Sequence, residues 1–460
     1  MGQVLSEPET TKHTQSGADE RLAWAVSEMQ GWRLTMEDAH AAVLSLDKDK
    51  GDDVPTRERT SFFAVYDGHG GSTVAKFAGD TVHHRLAAND YFPKKQWNDA
   101  LKRAFLETDE DLRANPDFRG DPSGCTAVGV IVTPELDLIC ANAGDSRSVM
   151  SVGGEAKPLS FDHKPTNAAE TSRIVAGGGF VEFGRVNGNL ALSRALGDFE
   201  FKQSQNLPAE QQVVTADPDI NRHSHTAEDE FIVVACDGIW DVLTSQQVID
   251  FVRLSIAQGH TLEQICENMM DRCLAPDSDW GGVGCDNMTM MVVAILGDRT
   301  QEEWYEWIKQ RVDTSEPYNT PKEFVEPFAQ GGNGPRGALM AGGSEAANNA
   351  TGGGVVVGRA GPNGGVQGLN LGSFASGNGV GAGNGGIGDD ESDDEGEELD
   401  LPTIQAALRA RMAELEREEQ ALESGANDET SAASIEQVED VDSKEDQEMT
   451  DSDPKPAESS

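Results

Sequence analysis

The sequence predicts a mixed α+β domain with antiparallel pairing, confined to about the first 330 of its 460 residues. Three observations predict it. Apolar, β-branched and aromatic residues gather into short runs, two of which (126–132 and 136–142) nearly adjoin. Helical patterns fall between groups of strands rather than after every strand, which disfavours a regular βαβ chain. Beyond residue 330 the composition shifts to glycine and acid, which cannot bury enough apolar surface to offset the entropy of ordering.

Taken along the chain, strands are expected at 61–67 (SFFAVYD), 126–132 (TAVGVIV), 136–142 (LDLICAN), 231–237 (FIVVACD) and 288–296 (MTMMVVAIL). Helices are expected at 72–88, with Ser72 as its cap, and at 96–113, 246–256, 262–274 and 301–312. Residues 1–19 read as a flexible amino terminus and 298–330 as a helix and exit segment. Residues 331–388 hold about 22 of the 50 glycines and read as a linker. Residues 389–460 form an acidic tail, in which Ile404, Leu408, Met412 and Leu415 recur at helical spacing within 403–424.

Charge and composition exclude several classes. With 36 Lys+Arg against 81 Asp+Glu, the formal charge of −45 opposes binding to nucleic-acid phosphates. There is no run of ~18 apolar residues to span a membrane. Six cysteines without CxxC spacing make neither a disulfide framework nor a zinc site. The chain starts without a basic, apolar leader, so an intracellular, reducing location is expected.

The informative feature is where aspartates fall. Apolar runs end in Asp67-Gly68 and Asp237-Gly238, a third ends in Gly144-Asp145, and Asp286-Asn287 stands just before a fourth. Buried strands deliver their terminal side chains to fixed points, and carboxylates that converge repel unless cations hold them together. An all-oxygen set suits Mg²⁺ or Mn²⁺. Asp-Gly is also a common turn dipeptide, so each junction alone fits a plain turn. Arg33 and Glu37 would share one face of an extended segment and could clamp a phosphate beside a metal, or form a surface ion pair. His69, in Asp67-Gly68-His69-Gly70-Gly71, could donate a proton to a leaving group or be structural.

Seven segments occur in one chain: RLTMEDAH (33–40), VYDGHGG (65–71), SGCTAV (123–128), NAGDSR (142–147), NLALSRALGD (189–198), VVACDGIWDV (233–242) and DNMT (286–289). Together, over about residues 20–297, they resemble the metal-dependent type 2C protein serine/threonine phosphatases (the PPM family), most closely fungal members. The resemblance implies a sandwich of two antiparallel sheets flanked by helices. It implies that Asp67 bridges two Mg²⁺ or Mn²⁺ ions, with Glu37 and the Gly68 carbonyl completing one site and Asp237 and Asp286 the other. Asp145 and Asp241 resemble ligands of a weaker third ion, shared with Asp237. Arg33 would bind the substrate phosphate, His69 would be the general acid, and Asp38 would hold metal-bound water.

The implied activity is hydrolysis of phosphoserine and phosphothreonine in proteins by a metal-activated water, opposing stress-signalling kinases. A cysteine-dependent phosphatase is the nearest rival, since Cys266 and Arg272 have C-x5-R spacing. The residues between them, ENMMD, contain no glycine and read as helix. An inactive, binding-only phosphatase fold would show a lost acidic ligand or a lost arginine, and neither is missing. Cys236 and Cys285 each precede a candidate ligand, which places thiols beside the site. Met1-Gly2-Gln3-Val4-Leu5-Ser6 fits the pattern for N-myristoylation of Gly2. One such chain with no polybasic segment gives only transient membrane contact, so the expected setting is cytoplasm and nucleus, as a monomer.

Overall fold

The computed structural model describes residues 4–46, 54–278, 282–324 and 326–328. These lie in the first of two units, Met1–Gly354. Gly2, the linker and the acidic tail with its expected 403–424 helix fall outside the described residues.

Two antiparallel sheets form the frame. The six-stranded sheet runs β1 (Val4–Ala18), β2 (Leu22–Arg33), β16 (Met288–Ile295), β15 (Asp229–Ala235), β9 (Arg147–Val152), β10 (Glu155–Pro158). The five-stranded sheet runs β14 (Asp219–His223), β8 (Leu138–Ala143), β7 (Ala127–Val132), β4 (Ser61–Tyr66), β3 (Ala39–Val43). A three-stranded ribbon of β13 (Leu196–Gly197), β6 (Gly124–Cys125) and β5 (Gly68–His69), and a hairpin of β11 (Val181–Glu182) and β12 (Arg185–Val186), complete the pairing.

Side-chain alternation explains the layering, because successive residues of a strand face opposite ways. In β4, Phe62, Ala64 and Tyr66 pack on α1 (Thr73–Ala88) and α2 (Trp97–Ala114), while Phe63 and Val65 face the other sheet. In β16, Met288, Met290, Val292 and Ala294 meet α5 (Ser245–Ala257), α6 (Leu262–Cys273) and α7 (Gln301–Thr314), while Met291, Val293 and Ile295 enter the inter-sheet core. Both faces are apolar, so these strands read as continuous runs rather than alternating ones. The result is four layers: helices, sheet, sheet, helices. The one-turn α4 (Asp237–Trp240) adds Ile239 and Trp240 to the helical core of the six-stranded sheet, whereas α3 (Ala168–Ala176) packs through Ile174 in a separate small cluster. Among the described residues no helix is long and apolar enough to cross a membrane.

Several expectations are corrected. The described part of the segment expected to be flexible, 4–18, is an edge strand: residues 12–18 pair with 23–29, and Lys12 and Thr14 reach Asp271 and Glu267 of α6. Its polar composition hid it, because an edge strand needs a ladder partner more than a buried face. The helix expected in 298–330 is α7, and it is integral to the fold. Trp304 of α7 is fully buried in the core of the six-stranded sheet and donates from Nε1 to the Glu230 carbonyl at 3.0 Å. Ser72 makes no side-chain cap to α1. The working caps are Thr244, Thr261 and Thr300, each in a reciprocal capping box with Gln247, Gln264 or Glu303.

If α7 belongs to the catalytic core, Trp304→Ala will cost about 3–5 kcal/mol of unfolding free energy. Denaturant unfolding of the full chain checks this, and a change within error would show that α7 is not part of the core.

Candidate metal centre

The predicted carboxylates meet at one end of the sandwich. Asp67 follows β4, Asp237 follows β15 as the first residue of α4, Asp286 leads into β16, and Asp145 lies in the turn between β8 and β9. Asp241 sits one turn beyond Asp237, whose carbonyl accepts its N–H at 2.8 Å. Burial, then the charges of Asp237, Asp38, Asp286 and Asp145, pushes the Asp67 carboxyl well above its ordinary range. Burial, then Asp145, Asp241 and Asp286, does the same to Asp237. Asp241 is pushed up to about 6, with burial the largest cause, and Asp38 to about 7 for the same reason. Buried oxygens of Asp38 and Asp145 have no hydrogen-bond partner. Crowded, mutually repelling carboxylates with unsatisfied oxygens are what hard divalent cations neutralise, so the residues present fit such ions.

An oxygen each of Asp38 and Asp67 and the Cys236 sulfur lie within 4.8 Å of one another. The thiol is buried, and burial followed by Asp38 and Asp67 pushes its pKa well up. It stays protonated, and a thiol is a poor ligand for a hard cation. Cys236 instead accepts the Thr289 N–H at 3.1 Å, while the Thr289 hydroxyl donates to Asp38 at 2.7 Å.

Residues 34–38 do not continue β2 as an extended segment. The chain bends after Arg33, so Arg33 and Glu37 do not share a strand face. The cause is Asn287, 5 % exposed, which donates from Nδ2 to the carbonyls of Gln30 (2.8 Å) and Thr35 (2.9 Å) and accepts the Glu37 N–H at 3.0 Å. The Glu37 carboxylate then accepts from the Thr35 hydroxyl (2.7 Å) and the Gly71 N–H (3.1 Å). Half-exposed Arg33 pairs with Asp286. Gly68 permits this closeness: a Cβ there would stand 2.2 Å from the Glu37 carbonyl oxygen.

His69 pairs across the ribbon with Gly124, and its Nε2 lies 2.7 Å from Asp198. Burial opposes a charged ring, but the hydrogen bond and charge of Asp198 outweigh it and raise the His69 pKa. A Cβ on Gly124 would sit 2.3 Å from the Asp198 carboxylate and 2.7 Å from His69 Nε2.

The sequence profile described as Protein phosphatase 2C matches residues 22–279. The chain belongs to the protein phosphatase 2C family. The chain is 52% identical to "Protein phosphatase 2C homolog 2" of Hypocrea jecorina, over 71% of this chain and 74% of the relative. It is 50% identical to the protein of that name from Schizosaccharomyces pombe, over 71% and 87%. A solved phosphatase structure from Toxoplasma gondii shares the fold, with a TM-score of 0.52 and 24% identity over 62% of this chain and 96% of that one. The chain is thus a metal-dependent protein serine/threonine phosphatase that acts on phosphoproteins.

In this phosphatase Cys266 and Arg272 lie on α6, with Cys266 buried, so the C-x5-R spacing forms no anion loop. Cys285 packs in a small cluster with Trp32 and Ala275, its sulfur near the Asp277 and Val283 carbonyls and within reach of the charges of Asp286 and Arg33. Sequence reading missed Asp198, Asn287 and Thr289 as site residues, although all three stand in the quoted motifs.

Two outcomes follow. Asn287→Ala should release the 34–38 loop and lower kcat/KM about 100-fold, in steady-state assays of a variant whose circular dichroism is unchanged. The second concerns pH. Asp38 is raised from 3.8 to about 7 on folding. An acid whose folded pKa is raised keeps its proton longer in the folded state. In the metal-free protein the Asp38 contribution to stability is therefore fully present below the unfolded pKa and is lost as pH rises from about 4 through about 7. Thermal melts in chelator across that window check the sign.

Proposed function

We propose that two divalent cations, Mg²⁺ or Mn²⁺, would be held by Asp67 together with Glu37 and the Gly68 carbonyl at one site and with Asp237 and Asp286 at the other. Asp145 and Asp241, with Asp237, would hold a weaker third. The observation that carries this reading is the convergence of repelling carboxylates with unsatisfied oxygens at Asp38 and Asp145. When bound, the cations supply Lewis acidity, neutralising phosphoryl oxygens and lowering the pKa of water.

The chain's own residues do the rest. Arg33, half exposed at the rim, presents its guanidinium to the substrate phosphate. His69, oriented by Asp198, which favours the protonated ring, donates its proton to the departing serine or threonine oxygen. Asp38, fixed by the Thr289 hydroxyl, orients the attacking water through its free oxygen. We extend the reading to kinases of stress signalling as substrates, and to a monomer in cytoplasm and nucleus with transient membrane contact through myristoylated Gly2. Those extensions rest on the family resemblance and the amino-terminal motif.

The test uses the full chain. Asp67→Asn and Asp237→Asn should abolish phosphopeptide hydrolysis while the protein stays folded, and near-normal turnover at saturating Mn²⁺ would sink the ligand assignment. Arg33→Ala should raise KM. His69→Ala and Asp198→Asn should lower kcat more for an alkyl phosphate than for an aryl phosphate, whose leaving group needs less protonation. Equal losses on both substrates would remove His69 from the acid role.

A further inference from the structure

Lys164 occupies a place that the reaction as described does not use. Its ammonium donates to the Asp145 carboxylate, and its half-exposed head faces Asp241 and Asp237 as well. This approach is built into the backbone. The preceding residue, His163, is locked to the Asp145 turn from both sides: its N–H donates to the Gly144 carbonyl at 2.9 Å, and its Nδ1 accepts the Gly144 N–H at 3.2 Å. His163 Nε2 is held 3.0 Å from Asp219. One residue earlier, Asp162 takes a two-pronged contact from Arg147, with both distances 2.9 Å. The segment 162–164 is therefore bolted beside Asp145, and only the lysine side chain is free to swing. Asp145 is 3 % exposed, and its other oxygen is buried without a partner.

We propose that Lys164 is an internal counter-ion that competes with the outermost divalent cation for Asp145, so that binding of that cation displaces the lysine and the lysine sets its weak affinity. This rests on the ligand reading above. Asp145 offers a divalent cation its unpartnered oxygen, but an ammonium on the other oxygen of the same carboxylate repels the cation at such close range. With the cation absent, Lys164 neutralises part of the charge of the Asp145, Asp237 and Asp241 group and keeps the site intact. With the cation present, the ammonium moves to solvent, a short path for a side chain already 41 % exposed. The inner ions would feel Lys164 less, since its hydrogen bond goes to Asp145 and Asp237 is the weakest of the three carboxylates that act on it.

Mn²⁺ binding to the full chain, followed by electron paramagnetic resonance of the free ion, tests the competition without recourse to activity. In Lys164→Gln the weakest dissociation constant should fall about tenfold or more, whereas Lys164→Arg should keep the wild-type value. An unchanged weak site in a folded Lys164→Gln protein overturns the proposal. In wild-type protein, amine labelling read by mass spectrometry should show Lys164 becoming more reactive over the Mn²⁺ range that fills the weak site. Constant reactivity across that range also overturns it. Asp145→Asn separates this idea from its foundation. It should lose the weak ion, and a retained ion would mean that Asp145 is no ligand, which refutes the site reading rather than the competition alone.

Discussion

Asp67, Asp237 and Asp286 repel one another and cannot move apart, because each is fixed at the end of a strand that is buried on both faces. To separate them the sandwich would have to slide its sheets, breaking the inter-sheet core of Phe63, Val65, Val234 and Met291. Packing of this density does not deform gradually. The hydrophobic core thus maintains an electrostatic strain at its edge, and the site's affinity for cations is the release of that strain. The raised pKa values of Asp38, Asp67, Asp237 and Asp241 express the same fact in protons.

Holding those charges in register falls to backbone close approaches that only glycine allows. Gly68 lets the chain after β4 lie against the Glu37 carbonyl. Gly238 does the same for the chain after β15 and the Asn287 carbonyl, where a Cβ would come within 2.1 Å. Asn287 then ties the β16 entrance to the 34–38 loop with two hydrogen bonds and to Gln30 of β2 with a third, so the strand and the loop that leads into the other sheet share one junction. Around it the polar groups are themselves anchored. Asp109 accepts from the Gly197 N–H and from the Lys202 ammonium, both at 2.8 Å, which fixes the turn carrying Asp198 and through it His69.

A second polar cluster secures the segment leading from Lys164 into α3. Glu170, nearly buried, is gripped by Arg173 and Arg194, and Arg194 reaches on to Asp219 of β14. Burial pushes the Glu170 carboxyl up, but the two arginines and Ser193 outweigh it and hold it down at about 2. The segment that positions Lys164 is therefore pinned by charge on one side and by His163 on the other, with few apolar contacts of its own. It was not legible as structure in the sequence for that reason, since its order comes from partners far along the chain.

What the sequence determined by itself were the features that local chemistry dictates. Doubly buried strands such as 61–66 and 288–295 announce themselves as unbroken apolar runs. Amphipathic helices such as 97–114 carry their own period, and the aspartates at strand ends mark where charge is delivered. Tertiary structure alone decided the rest. β1 and β14 are polar and exist as strands because a neighbour supplies a ladder, and β9, with two serines in its six residues, is buried because both flanking strands cover it. The bend after Arg33, the pairing of His69 with Asp198 and the seat of Lys164 on Asp145 join residues separated by 19 to 257 positions. No local pattern encodes such contacts, because their energy comes from partners that meet only after the two sheets have packed.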